Sequence, residues 1–166
     1  IFKLDVFKSA RRVSIYLSTD FEVDTIEIIR NMFHEKKEVF VPTYSGKEMR
    51  MVKLLDFDDY EKLPLTKWNI KQPNADDVHR ENPMLTDPLD LVLMPGVAFT
   101  LKGGRMGHGM GYYDKYLHKY FARYPDTVQI NKTHLVGLAF REQIVDDNQL
   151  PLEPTDYPLD SVVTSD

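Results

Sequence analysis

The chain of 166 residues contains no cysteine. That absence removes disulfides, thiolate nucleophiles and zinc knuckles together, and it fits a reducing compartment, so the cytoplasm is the expected location. Long apolar runs are missing too. None approaches the ~20 residues needed to span a bilayer, and no membrane partner is expected. An excess of basic residues is also lacking: 21 Lys and Arg stand against 26 Asp and Glu, a net charge of −5. Such a chain is not an electrostatic binder of nucleic acid, although the patch "KSARR" (Lys8 to Arg12) could meet a small anion or simply be a solvated strand start. Tryptophan occurs once, at Trp68. No repeat or low-complexity tract is visible. The sequence opens at Ile1 without a methionine, and "IFKLDVFKSARR" has neither the apolar core nor the cleavage site of a secretory signal, so a native start upstream is expected. Residues 1–166 are read as one domain, long enough to bury roughly two thirds of its unfolded surface unaided.

What is present alternates between strand and helix. "RRVSIYLS" (Arg11 to Ser18) has the β-branched and aromatic composition of a buried strand. In "TDFEVDTIEIIRNMFHEKK" the apolar residues Val23, Ile26, Ile29 and Phe33 recur at helical spacing, with acids early and lysines late, as the helix dipole prefers. "EVFVPTY" and "MRMVKLL" read as two strands around the turn "SGKE", with Pro42 pushing the first toward a sheet edge or an early end. From Asp56 to Asp87 the text is irregular and reads as a wrapping loop with a short helix near Asp58 to Leu63. "LDLVLMPGVAF" is a continuous apolar run ended by Pro95 and Gly96, the mark of a strand covered on both faces. A helix from about Gly111 to Tyr124 follows, with Tyr113, Tyr116, Leu117 and Tyr120 on one stripe. "HLVGLAF" and "DSVVTSD" supply later strands. The pattern predicts an α/β three-layer sandwich on a mainly parallel sheet.

Glycine is scarce, eight in all, and five of the eight fall in "GGRMGHGMGYYDKYL" (Gly103 to Leu117). A core strand empties into this stretch and a helix leaves it, which is where open α/β sheets bind ligands. Positive φ angles at Gly107, Gly109 and Gly111 would let a phosphate approach the amides, the helix N-terminus would add its dipole, and Arg105 would add a planar charged fork. The spacing is G-x-G-x-G, so neither the Walker pattern nor the dinucleotide fingerprint is present. On composition alone, a mobile surface loop explains the glycines equally well.

"LVLMPGVAFTLKGGRMGHGMGYYDKYL" (Leu91 to Leu117) resembles the signature of the 5-formyltetrahydrofolate cyclo-ligase family. So do "SIYLS...EVDTIEII", "WNIKQP" and "LPLEPTDYPLDSVVT", and the resemblance covers nearly the whole chain. It implies a fold of the kind shared with sugar-phosphate isomerases and CoA transferases. It further implies an ATP- and Mg²⁺-dependent cyclisation of 5-formyltetrahydrofolate to 5,10-methenyltetrahydrofolate, with release of ADP and phosphate, by a cytoplasmic monomer. The rivals are one of those isomerases or transferases, or a protein that binds the folate without turning it over.

By the same resemblance, Arg105, Met106, Gly107, His108, Gly109, Met110, Gly111, Tyr112 and Tyr113 form the ATP site, with Arg105 and Tyr112 catalytic. Leu17, Glu22 and Trp68 meet the folate together with His108, Gly109, Met110, Gly111 and Tyr112. Asp114 and Asp156 hold the metal. Each assignment has a plainer alternative: Asp114 as a helix-capping acid, Asp156 as a turn residue, Glu22 as an N-terminal helix acid, Trp68 as packing, the tyrosines as core. Histidines 34, 79, 118 and 134 make no ligand pattern and read as surface or core. Many relatives carry a basic residue at the position of Met110 and some at that of His108, so this loop is less positive than theirs. Relatives also begin with a basic helix whose lysine and arginine meet ATP, and that helix is expected upstream of Ile1.

Overall fold

The apolar runs come together as one sheet with helices on both faces. The computed structural model describes residues 1–165. In chain order the elements are α1 (Asp5–Ser9), β1 (Arg12–Ile15), α2 (Ile26–His34), β2 (Glu38–Ser45), β3 (Glu48–Leu54), α3 (Phe57–Glu61), β4 (Leu91–Met94), β5 (Ala98–Phe99), β6 (Arg105–Met106), α4 (Tyr112–Arg123), β7 (His134–Ala139) and β8 (Ser161–Thr164). Six strands form a sheet in the order β3-β2-β1-β4-β7-β8, parallel throughout except for β3. The two short strands β5 and β6 form a separate antiparallel hairpin. Helix α1 and this hairpin have no counterpart in the sequence reading, and α2 begins at Ile26, leaving Val23 in the loop before it.

Alternation along each strand sorts side chains into two cores. On one face Val13, Ile15, Val39, Val41, Leu91 and Leu93 pack against Phe7, Ile28, Ile29 and Met32 of α1 and α2, and Tyr60 of α3. On the other, Phe40, Val92, Met94 and Leu135 pack against the expected stripe of α4, Tyr113, Tyr116, Leu117 and Tyr120. Each fully buried Leu or Ile contributes roughly 1.5–3 kcal/mol. This two-sided burial produces the three-layer sandwich, and it explains why β4, buried at all four positions, reads as an unbroken apolar run.

Pro42 departs from expectation. Strand β2 is interior and β3 is the edge. Pairing between β1 and β2 ends at Phe40, while β2 runs on with β3 to Ser45. In a two-residue hairpin closed by Ser45 and Glu48, alternation puts the Pro42–Met51 pair at a non-hydrogen-bonded site. The proline nitrogen therefore faces the side that β1 has already left, and no ladder bond is lost.

The wrapping segment is pinned by charge. Arg12 bonds Glu81 at 2.8 Å, Glu38 at 3.2 Å and the Pro88 carbonyl at 3.1 Å, and Arg80 grips both oxygens of Asp59 at 2.7 and 2.8 Å. Arg12 is thus committed to structure and does not offer its charge to an anion. The chain leaves β1 toward β2 on one side and later enters β4 on the other, so the sheet has its switch point between β1 and β4.

Candidate active site

At that switch point the carboxyl ends of β1 and β4 open into a cavity of about 1240 Å³. Every residue nominated from the sequence lines it: Leu17, Glu22, Trp68, the run Arg105 to Tyr113, Asp114 and Asp156.

Beyond β1 the backbone is clasped by buried Thr25, whose hydroxyl donates to the Tyr16 carbonyl at 2.8 Å while its N–H donates to Ser18 Oγ at 3.1 Å. The clasp holds Leu17 and Glu22 over the end of the strand. Glu22 Oε1 accepts the Thr19 N–H at 2.9 Å, and a carboxylate so placed keeps acceptor capacity for a ligand's paired N–H groups. Trp68 sits at the tip of a small turn closed by Thr66 N–H to the Ile70 carbonyl at 2.8 Å. The turn is fixed to β2 by Gln72 Nε2, 3.2 Å from both Thr43 Oγ1 and the Tyr44 carbonyl. With 72% of its surface exposed, Trp68 is a cavity wall and not a packing residue.

The glycine stretch is ordered by its neighbours. Gly109 has φ +92° and Gly111, the N-cap of α4, has φ +67°, a region that strains other residues. Gly107 does not share this feature. It matters for space instead, since a Cβ there would lie 3.1 Å from Arg105 Nη1. Met106, His108 and Met110 are exposed around the loop. Tyr112 donates its hydroxyl to the Gly46 carbonyl at 2.8 Å, and its ring meets that of Tyr44 edge to face at 4.8 Å. The loop is thereby tied to the tip of the β2–β3 hairpin. Burial, helped by the Glu22 carboxylate and then Tyr112, pushes the Tyr44 hydroxyl up to about 12. Burial likewise raises Tyr16 and Tyr113. All three are neutral donors at physiological pH.

The β5–β6 hairpin returns Arg105 beneath the loop, where it is buried. Its Nη1 donates to the Pro95 carbonyl at 3.2 Å, its Nη2 lies 3.7 Å from Asp114 Oδ2, and its guanidinium stands 5.5 Å from the centre of the Tyr113 ring. Arg105 Nε and Tyr113 Oη are buried without a regular hydrogen-bond partner, the Tyr44 hydroxyl lying near Tyr113 outside that geometry. Unpaired buried donors in a cavity wall are what an incoming polar ligand can satisfy.

Asp114 and His118, one turn apart on α4, both hold the segment that carries Asp156. Asp114 Oδ1 accepts the Tyr157 N–H at 3.0 Å and His118 Nε2 donates to the Thr155 carbonyl at 2.8 Å. Asp156 Oδ2 in turn accepts the Glu153 N–H at 2.8 Å. His118, read from the sequence as surface or core, lines the cavity.

A sequence profile of the 5-formyltetrahydrofolate cyclo-ligase family matches residues 1–165. The chain belongs to that family. It is 38% identical to a probable 5-formyltetrahydrofolate cyclo-ligase of Caenorhabditis elegans over 95% of this chain and 74% of the relative. It is also 38% identical to the 5-formyltetrahydrofolate cyclo-ligase of Mus musculus over 96% of this chain and 76% of that one. A solved 5,10-methenyltetrahydrofolate synthetase from Aquifex aeolicus superimposes with a TM-score of 0.70 at 29% identity, covering 98% of this chain and 72% of that structure. For this cyclo-ligase family member the α/β three-layer fold on a mainly parallel sheet and the family resemblance are both borne out.

Several cavity residues had no sequence signal. Tyr44 sits in a segment that reads as a strand, Gln72 in a loop, Lys115 is a helix residue outside the tyrosine stripe of α4, and His118 reads as surface or core. What brings them to the cavity is tertiary: the hairpin tip and the 153–157 segment bond to the first two turns of α4, and the Trp68 turn, fixed to β2, lines the same cavity.

Proposed function

We propose that this cavity binds ATP and 5-formyltetrahydrofolate side by side and converts the folate to its 5,10-methenyl form, releasing ADP and phosphate. Family membership supports the activity. The observation that carries the residue assignment is the convergence, on one cavity, of a positive-φ glycine loop, a buried arginine with an unpaired Nε, and the Glu22–Trp68 wall. The cavity exceeds the roughly 300–1,000 Å³ that encloses one drug-sized molecule, in keeping with two ligands.

In this reading Glu22 accepts the pterin's amino and ring N–H groups while the faces of Trp68 and Tyr112 border its rings. Leu17 fills the pocket between them. The amides from Met106 to Gly111 and the first turn of α4 receive the phosphates, flanked by His108, Met110 and Tyr113. The formyl oxygen attacks the γ-phosphoryl, ADP departs, the neighbouring folate nitrogen closes on the activated carbon, and phosphate leaves. Such transfer rests on positioning and charge stabilisation, which Arg105 provides through its fork. The Tyr112 hydroxyl, bonded to Gly46, serves this step by fixing the loop.

Magnesium is the metal whose needs these residues fit. It takes one or two carboxylates and completes its shell with phosphate and water. Asp114 and Asp156 supply two, and among the described residues no group of three or more His, Cys, Asp or Glu forms a fuller cage. When bound, the ion would neutralise developing charge on the phosphate oxygens. Among the described residues no helix is long and apolar enough to cross a membrane, and a cytoplasmic monomer remains our reading.

The decisive experiment follows methenyl product by absorbance, using the full-length protein. Product is expected only when ATP and Mg²⁺ are both present. Product without nucleotide would sink the phosphorylation step, and tight folate binding with no ATP consumption would favour a carrier.

The loop is tested separately by Gly109→Val. Open space surrounds the missing Cβ, so no packed neighbour is struck. A β-branched residue at φ +92° nonetheless costs roughly 1–3 kcal/mol in the native loop and moves its amides. Folding should survive while thermal stabilisation by ATP disappears. A mutant that keeps its full ATP-dependent shift in melting temperature would rule out the cradle.

A further inference from the structure

We propose that Lys115 is a phosphate-binding residue of the nucleotide site, its ammonium supplying the positive charge that the tip of the glycine loop lacks. The inference rests on the nucleotide reading above.

From Arg105 to Gly111 the loop contains a single permanent cation, Arg105, which is buried, bonded to the Pro95 carbonyl and close to Asp114. Its charge is already partly answered by the protein. The loop tip carries Met110, exposed and uncharged. Lys115 reaches that tip from α4: its Cε passes 3.7 Å from where a Cβ of Gly111 would stand, and its Nζ donates to the Met110 carbonyl at 3.3 Å. The ammonium therefore hovers over the loop with two further N–H groups to offer.

Three observations separate Lys115 from an ordinary surface lysine. It lines the cavity. Among the described residues no carboxylate pairs with it, whereas Lys119, one turn on, pairs with Glu48 at 3.1 Å and Lys102 with Asp147 at 2.9 Å. The other cavity lysines, Lys67 and Lys71, belong to the Trp68 turn, where Lys67 lies over the tryptophan ring. Finally, Lys115 sits at the start of α4, where the helix dipole opposes a cation. Without an anion this placement is unfavourable. A phosphate seated on the α4 amides reverses the sign, because it attracts both the helix end and the ammonium.

Lys115→Met removes the charge and keeps the stem. The test measures KM for ATP, KM for the folate and kcat, with Lys115→Arg and the double variant Lys115→Met with Met110→Lys alongside. KM for ATP is expected to rise about tenfold, the low end for a hydrogen bond to a charged group because the site is open to water, with kcat and the folate KM near wild type. Added salt should raise the wild-type KM for ATP more than the mutant's. Lys115→Arg should stay within about threefold of wild type, since an ammonium–phosphate contact needs charge more than shape. Met110→Lys should restore most of the loss, since it returns a cation to the same place from the other side. An unchanged KM for ATP in Lys115→Met, an equal rise for both substrates, or no rescue by either cation overturns the assignment. A wild-type protein that turns over without ATP overturns instead the nucleotide reading beneath it.

Discussion

The Arg105→Met protein is expected to melt close to wild type and to lose about two to three orders of magnitude in kcat/KM, the cost of removing one preorganised donor from a developing charge. The structure separates the two effects. Arg105 is buried, yet its guanidinium makes one hydrogen bond within normal range, to the Pro95 carbonyl, and its Nε makes none. A buried cation so poorly paired contributes little to stability, and methionine fills the same stem volume without the desolvation cost. The unpaired Nε and the long 3.7 Å approach to Asp114 leave donor capacity for the ligand in the proposed reading. Arg105→Lys keeps charge and loses planarity, so it should recover only part of the rate. Turnover and thermal melting of the same preparations decide the matter. Turnover within about threefold of wild type in Arg105→Met removes Arg105 from the mechanism, and a large fall in melting temperature with activity tracking the folded fraction makes it a structural residue.

Asp114→Asn and Asp156→Asn should each raise the Mg²⁺ concentration for half-maximal turnover at least tenfold, because an amide keeps the shape but not the charge that a hard cation requires. Folate binding without nucleotide should stay near wild type, since neither aspartate is assigned to the folate and the Glu22 and Trp68 wall lies on other segments. The two aspartates are 42 positions apart in sequence, and the fold links them through one contact: Asp114 holds the N–H of Tyr157, the residue after Asp156. Asparagine can still accept that bond, so the Asp156 turn should keep its place. If both acids serve one ion, the double variant loses clearly less than the sum of the singles. Strict additivity, or an unchanged Mg²⁺ requirement in either variant, returns that aspartate to the role of a turn or capping residue.

What could be read from the sequence was whatever burial imprints as a pattern. Strands β1, β4 and β7 are buried along most of their length, and β4, buried at all four positions, reads as an unbroken apolar run. The tyrosine stripe of α4 announced its packing face, whereas the glycine stretch by itself fitted a mobile surface loop equally well and pointed to a ligand only through the family motif around it. Elements held by distant contacts left no such trace. Helix α1 has five residues and is anchored by Phe7 in a core built from later segments, and its last carbonyls are taken by Lys37 from the far end of α2. The β5–β6 hairpin pairs two residues with two. Pro42 misled because its position in the sheet depends on where β1 stops, which only register reveals. Gly107 was grouped with its neighbours although its backbone is ordinary and its role is to clear Arg105. Among the site residues, those carried by the motif were legible as a set. Tyr44, Lys115 and His118 were not, since a strand residue, a helix lysine and a helix histidine acquire meaning only when the hairpin tip and the 153–157 segment come to meet α4.

The breadth of the cavity bears on inhibition. On the proposed reading, a compact aromatic compound seated between Trp68 and Tyr112 would leave the phosphate end in water, and a nucleotide mimic would leave the aromatic end bare. Neither uses the contiguity of the two halves. A single compound joining a flat heterocycle to a short polyanion would present its second head at an effective concentration set by the linker, which can tighten binding by orders of magnitude with no new contact at either end. Linker length then becomes the quantity to optimise, and the flexible rim residues Met106 and Met110, exposed and unbranched, give such a linker an adaptable surface to cross.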